Sequence, residues 1–254
     1  MVSFLENILP RFPNTYFRLT FSIEGIGEDH DELRSMPGSF KKIQKSYKII
    51  SPLRSKYPNL VLDCNSVFTA SSEIYLLDAL KTINEDFKFD NMSVTYARGI
   101  IKDESLKKVS KERYIKINKF LEEREKYKEK RLLYPLWRGV NSVSRENLMR
   151  TVFDDEFVTS CVAGRKLLVI SETGEVQPCE ILGKSIGNLR NFDWDLNKLL
   201  KQNSVTELQK WIKDTKCKCS FECALAANVV WKPKNYPKVL SSAVKNIGNS
   251  HHKH

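Results

Sequence analysis

Cys161-Val-Ala-Gly-Arg-Lys-Leu-Leu-Val-Ile-Ser-Glu-Thr-Gly-Glu-Val-Gln-Pro-Cys179 decides how this chain is read. Alternating apolar residues on both sides of Thr173-Gly174-Glu175 predict a β-hairpin. A hairpin brings its ends together, so the two flanking thiols can face one point. A helical segment follows, and then a second group, Cys217-Lys-Cys219-Ser-Phe-Glu-Cys223. That compact run needs only to fold back to supply further ligands. Cys161, Cys179, Cys217, Cys219 and Cys223 are therefore the candidate metal ligands. Thiolates select zinc or iron–sulfur clusters over hard ions. Cys64 stands by itself in an apolar run and reads as a core thiol.

Three explanations compete for the cysteines. Free cysteine is among the most buried residue types, so plain core packing is one. A structural zinc site is another, but zinc modules mostly use paired ligands two to four residues apart, which Cys-x-Cys-x3-Cys fits poorly. A four-cysteine iron–sulfur cluster is the third and the favoured one. A disulfide framework is not expected. The chain is long enough to build a core, carries no recognisable export signal, and does not spread its cysteines to staple loops.

Upstream, apolar β-rich runs alternate with helical ones. Phe17 to Ile23 reads as a strand, Leu60 to Phe68 as a second, Ser72 to Phe87 as a helix, and Met92 to Ala97 as a third strand. Such alternation predicts βαβ units and a parallel sheet. Val143 to Val152 reads as a helix, Asp195 to Ile212 as one or two more, and Ala224 to Trp231 as a short apolar helix under the cysteines. Trp137-Arg138-Gly139 after Pro135 reads as a link. From about Pro237 the chain is basic and reads as a frayed tail.

Two sets of residues together resemble the radical S-adenosylmethionine enzymes. Cys161-x-Ala-Gly164, Gly174-Glu-Val-x-Pro-Cys179, Gly187-Asn-Leu and the later cysteine knot look like their auxiliary-cluster region, called SPASM, or twitch in its one-cluster form. Ser22-Ile-Glu24-Gly25, His30-Asp31, Arg34 and Gly38-Ser39-Phe40 look like a stretch that follows a strand of their barrel. Glu24 stands where the family usually has Asp. Arg98-Gly99 resembles a pair at the barrel rim. The resemblance covers roughly residues 15 to 230. It implies an α/β fold: a partial parallel (β/α) barrel of about three strand–helix units over 1–155, a small α+β SPASM/twitch-like 4Fe-4S domain over 156–235, and a basic flexible tail over 236–254. By the family's pattern Cys161, Cys179 and Cys223 are the stronger ligands, with Cys217 or Cys219 completing one 4Fe-4S cluster. Ser22, Glu24, Arg34, Asn65 and Arg98 fall where S-adenosylmethionine contacts often sit.

The Cys-x3-Cys-x2-Cys loop that holds the family's catalytic cluster does not occur in this sequence. The resemblance therefore implies a C-terminal half. S-adenosylmethionine would be bound only in a completed assembly, with a separate N-terminal barrel half or a second copy as partner and a peptide or small molecule as substrate. A non-catalytic iron–sulfur or peptide-binding module is the main alternative, and a zinc-stabilised basic binding protein is the other.

Composition fits a globular protein. Forty-one per cent of residues are hydrophobic, and no apolar run is long enough to span a membrane. Cysteine-rich chemistry of this kind implies a reducing cytoplasm. The net charge is +11. Much of the basic content between Lys102 and Arg131 alternates with Glu, which suits an exposed helix face. Tyr114, Ile117, Phe120, Leu121 and Tyr127 share the opposite face, with Ser110 as N-cap. Acidic residues interrupt the basic stripe and no recognition motif accompanies it, so nucleic acid is not the expected partner.

Overall fold

The computed structural model describes residues 1–125 and 134–248. The chain forms two compact units, Met1–Ala97 with Asp103–Glu125, and Arg98–Lys102 with Lys126–His254. All of the net charge belongs to the second unit. It carries 24 Lys and Arg against 13 Asp and Glu (24 − 13 = +11), whereas the first carries 18 of each.

In the first unit, α1 (Val2–Ile8) leads into β1 (Phe17–Ser22), α2 (Glu28–Leu33), α3 (Ser39–Ile50), α4 (Leu53–Lys56), β2 (Leu60–Phe68), α5 (Leu76–Asp86), β3 (Asn91–Tyr96) and α6 (Lys111–Glu125). The strands make one parallel sheet in the order β1-β2-β3. Register pairs Phe21 with Cys64 and Cys64 with Met92, so successive residues fall on opposite faces of the sheet. One face carries Phe17, Leu19, Phe21, Leu62, Cys64, Phe68, Met92 and Tyr96. It is covered by rings: Phe21 meets Tyr47 of α3 at 6.0 Å and Phe89 at 5.4 Å, and Phe68 meets Tyr114 of α6 at 5.6 Å. Ser110 caps α6 by accepting from Arg113 N (3.3 Å), and Tyr114, Ile117 and Leu121 are buried. Tyr127 lies outside the described residues.

The opposite face is polar. Arg18 Nε donates to Asp63 Oδ2 (2.7 Å), and Asn91 Nδ2 donates to Asp63 Oδ1 (2.8 Å). Ser93 and Thr95 hydroxyls both donate to Asn65 Oδ1, at 2.8 and 3.0 Å. Parallel sheets normally have both faces covered.

In the second unit, α7 (Tyr134–Val152) precedes β4 (Val169–Ile170), β5 (Glu175–Gln177), β6 (Gly187–Asn188), α8 (Leu196–Leu200), α9 (Asn203–Asp214), α10 (Glu222–Val230) and α11 (Tyr236–Gly248). β4 and β5 form the expected hairpin, and β6 adds to it antiparallel. Gly174, at φ +84°, supplies the left-handed turn.

Two segments depart from the sequence reading. Residues 236–248 form α11, not a frayed tail, and α11 lies on α7 through buried Val239 and Ala243. The expected link at 137–139 is the first half of α7. Gly139 is where the two helices come closest: a Cβ there would sit 2.5 Å from Val239 O. α7 therefore belongs with the cysteine unit, so the boundary falls near residue 126 and not at 155.

Candidate metal centre

Each thiol is delivered by identifiable local structure. Cys161 opens a tight turn in which Ala163 N donates to its sulfur at 3.4 Å and Gly164 adopts φ +74°. The Cys-x-Ala-Gly pattern thus provides an amide for the sulfur and a residue free to turn. Cys179 lies just past β5, after Pro178. Cys217 ends a Schellman motif on α9: Cys217 N donates to Ile212 O (3.0 Å) and Lys216 N to Lys213 O (3.1 Å), with Lys216 left-handed at φ +50°. Cys219 follows two residues later.

Cys161, Cys179, Cys217 and Cys219 all belong to one apolar cluster with Ala163, Ile212, Phe221 and Ala224. Burial raises the Cys217 thiol, and Cys161 and Cys179 add to that. Burial pushes the Cys219 thiol up to about 11, with Cys161, Cys217 and Cys179 contributing. A small cleft beside them is lined by Cys161, Cys217, Cys219, Thr159, Leu225 and Asn228. Among the described residues, no three His, Cys, Asp or Glu side chains are gathered closely enough to hold one metal ion. Ligands to a cubane each bind a different iron, so their sulfurs need not meet at one point.

Cys223 is placed differently. It sits exposed in the first turn of α10, whose inward face is taken by Ala224, Leu225, Asn228 and Val229. Burial of part of its thiol raises its pKa, Arg98 opposes that, and Glu180 and Glu222 reinforce it. Arg98 itself is fully engaged within this unit. Its Nε and Nη2 donate to Glu180 Oε1 (2.9 and 2.6 Å), its Nη1 donates to Glu222 Oε2 (2.8 Å), and its guanidinium lies 4.9 Å over the Phe221 ring. It joins the segment after Cys179 to the start of α10.

The other candidates lie in the first unit. Ser22 ends β1 opposite Asn65. Glu24, only 6% exposed, accepts from Arg34 Nη2 (2.7 Å) and from Val67 N (2.6 Å). Its own N–H donates to His30 Nδ1 (3.0 Å). Burial, then Arg34, lower the pKa of His30 and favour the neutral ring. Asp31 accepts from Gly38 N, Ser39 Oγ and Phe40 N at 2.6, 2.9 and 2.8 Å, which caps α3. Gly25 is required by crowding, since a Cβ would lie 2.9 Å from Asp29 Cβ. The Glu24-Gly25, His30-Asp31, Arg34 and Gly38-Ser39-Phe40 elements are thus one hydrogen-bonded loop that locks the carboxyl end of β1 to α3. In open parallel sheets ligands bind at that end of the strands.

The sequence reading missed Asn228 and Lys232. Asn228 is a lone amide in the otherwise apolar run Ala224-Leu-Ala-Ala-Asn-Val-Val230, and that isolation was the available signal.

No protein-family model and no curated protein matches the sequence. Solved structures do. The structure titled native anSMEcpe with bound AdoMet, an anaerobic sulfatase maturase of the radical S-adenosylmethionine/SPASM kind, matches at TM-score 0.51 and 16% identity, over 98% of this chain and 72% of that one. Native anSMEcpe with AdoMet and the Kp18Cys peptide matches at 0.48 and 16%, over 98% and 73%. With the Cp18Cys peptide the values are 0.46 and 17%, over 98% and 74%. The first likeness shows a shared α/β fold. Among the described residues no helix is long and apolar enough to cross a membrane.

Proposed function

We propose that this chain is an iron–sulfur protein of the radical S-adenosylmethionine type, with Cys161, Cys179, Cys217 and Cys219 holding one auxiliary 4Fe-4S cluster in a twitch-like domain. The observation that carries this reading is that four thiols, from the turn before the hairpin, the segment after β5 and the end of α9, share one apolar cluster. An N–H aimed at Cys161 Sγ and a basic surplus confined to this unit suit a site that concentrates negative charge. Such a cluster, with each iron held by one thiolate, would supply one-electron chemistry when bound.

In the first unit, Ser22, Glu24, Arg34 and Asn65 line the carboxyl end of the sheet and contribute there to S-adenosylmethionine binding in a completed assembly. Arg98, committed to Glu180 and Glu222, serves the cysteine unit. The Cys-x3-Cys-x2-Cys loop needed for radical generation must come from another segment or chain. Among the described residues β1 is paired on one side only, so its free edge is where a further parallel strand would join. The proposed substrate is a peptide or small molecule and the proposed compartment the cytoplasm.

The test is a series of single Cys→Ser variants, reconstituted without oxygen with ferrous iron and sulfide. Cys161→Ser, Cys179→Ser, Cys217→Ser and Cys219→Ser should each lose or alter the cluster, whereas Cys64→Ser and Cys223→Ser should retain it. A cluster lost with Cys223→Ser and kept with Cys217→Ser or Cys219→Ser would replace this ligand set.

A further inference from the structure

α10 grips the chain on both sides of Cys161. Its one inward amide, Asn228, is 4% exposed, and a buried amide is costly unless bonded. Asn228 Oδ1 accepts from Val162 N at 2.8 Å. Just past the helix end, Lys232 Nζ donates to Thr159 Oγ1 (2.8 Å), to Ser160 Oγ (2.6 Å) and to Ser160 O. The ammonium has three hydrogens, and all three are used on two adjacent residues. Burial, together with Lys234 and Arg165 nearby, lowers the pKa of Lys232. The cation is held there against that cost by its three acceptors. Arg165 Nη2 adds a bond to Cys161 O at 3.3 Å. The residues before and after Cys161 are therefore anchored to the element that follows Cys217 and Cys219 in the chain.

We propose that Asn228 and Lys232 are positioning residues for the Cys161 thiolate, setting its place relative to Cys217 and Cys219. This rests on the cluster reading above. Both act through the residues flanking Cys161: Asn228 through Val162 N, and Lys232 through the Thr159 and Ser160 hydroxyls and Ser160 O. Outer-shell partners of this kind are generally worth about 10–100-fold in metal retention.

The full chain is reconstituted without oxygen with ferrous iron and sulfide, as wild type, Lys232→Met, Lys232→Arg and Asn228→Leu. Iron retention against a ferrous chelator, the visible circular dichroism of the cluster and the thermal midpoint are read together. Lys232→Met and Asn228→Leu should release iron about 10–100-fold more readily and change the visible dichroism, and Lys232→Arg should restore both. Wild-type retention, or unchanged dichroism with only a lowered melting point, overturns the positioning role. Lys232 is half-buried, so Lys232→Met decides the matter if Asn228→Leu does not fold. A wild-type chain that takes up no iron sinks the cluster reading instead.

Discussion

Removing Arg34 should cost more than neutralising its partner Glu24. The Glu24 side chain is 8% exposed and its two bonds come from Arg34 and Val67 N; the Arg34 side chain is 42% exposed. Arg34→Met leaves a buried carboxylate with one backbone donor. Breaking a buried pair in this way costs roughly 3–5 kcal/mol, and the exposure of Arg34 reduces that to about 2 kcal/mol through solvent screening. Glu24→Gln keeps an acceptor for Val67 N and frees Arg34 into water, at about 1 kcal/mol. The double variant should recover most of the Arg34→Met loss, because no charge is then stranded. The assay follows urea unfolding by labelling of Cys64, which is fully buried and is the only cysteine of the first unit. Burial pushes its pKa up to about 12, so the folded thiol reacts slowly. With a urea slope of about 2 kcal/mol per molar, Arg34→Met should lower the midpoint by about 1 M. Glu24→Gln costing as much as Arg34→Met, or strictly additive losses in the double variant, would refute a structural ion pair.

Asp31 is held below its usual carboxylate range chiefly by Phe40 N, with Gly38 N, Ser39 Oγ and His30 helping to outweigh the opposing effect of burial. A depressed acid stabilises fully above its unfolded pKa, near 3.8, and loses that contribution as pH falls through the folded value. Acid titration of α3 helicity should therefore show a transition below that point that Asp31→Asn abolishes. Gly139→Ala gains about 1 kcal/mol in helix propensity, yet its Cβ would press on Val239 O at 2.5 Å. Backbone cannot yield cheaply, and overpacking of about 1–3 kcal/mol should prevail. Tryptophan fluorescence, which reports only the second unit, should show a lower melting temperature; a higher one would mean that α7 and α11 separate freely.

What the sequence revealed, and what it hid, follows from local physics. β1, β2 and β3 begin and end within about a residue of their expected limits, because apolar β-branched and aromatic runs bounded by turns are a strong signal. The hairpin before Cys179 was legible for the same reason. α11 and the first half of α7 were not. Each carries a proline in its first turn, Pro237 and Pro135, where proline is well tolerated but gives no positive sign of a helix. The cysteine motif placed five thiols in one neighbourhood but not their directions. Those depend on helix phase: in α10 positions 224, 225, 228 and 229 point inward, and 223 does not. The polar face of the sheet was hidden because Asp63, Asn65, Ser93 and Thr95 look like ordinary exposed positions until the register sets them side by side.

The thiol site is tested most directly by iron, sulfide and zinc analysis, with a visible spectrum, of the chain purified without oxygen. A brown protein with about four irons and four sulfides per chain is the predicted result. A colourless protein holding about one zinc, or no metal, would contradict it.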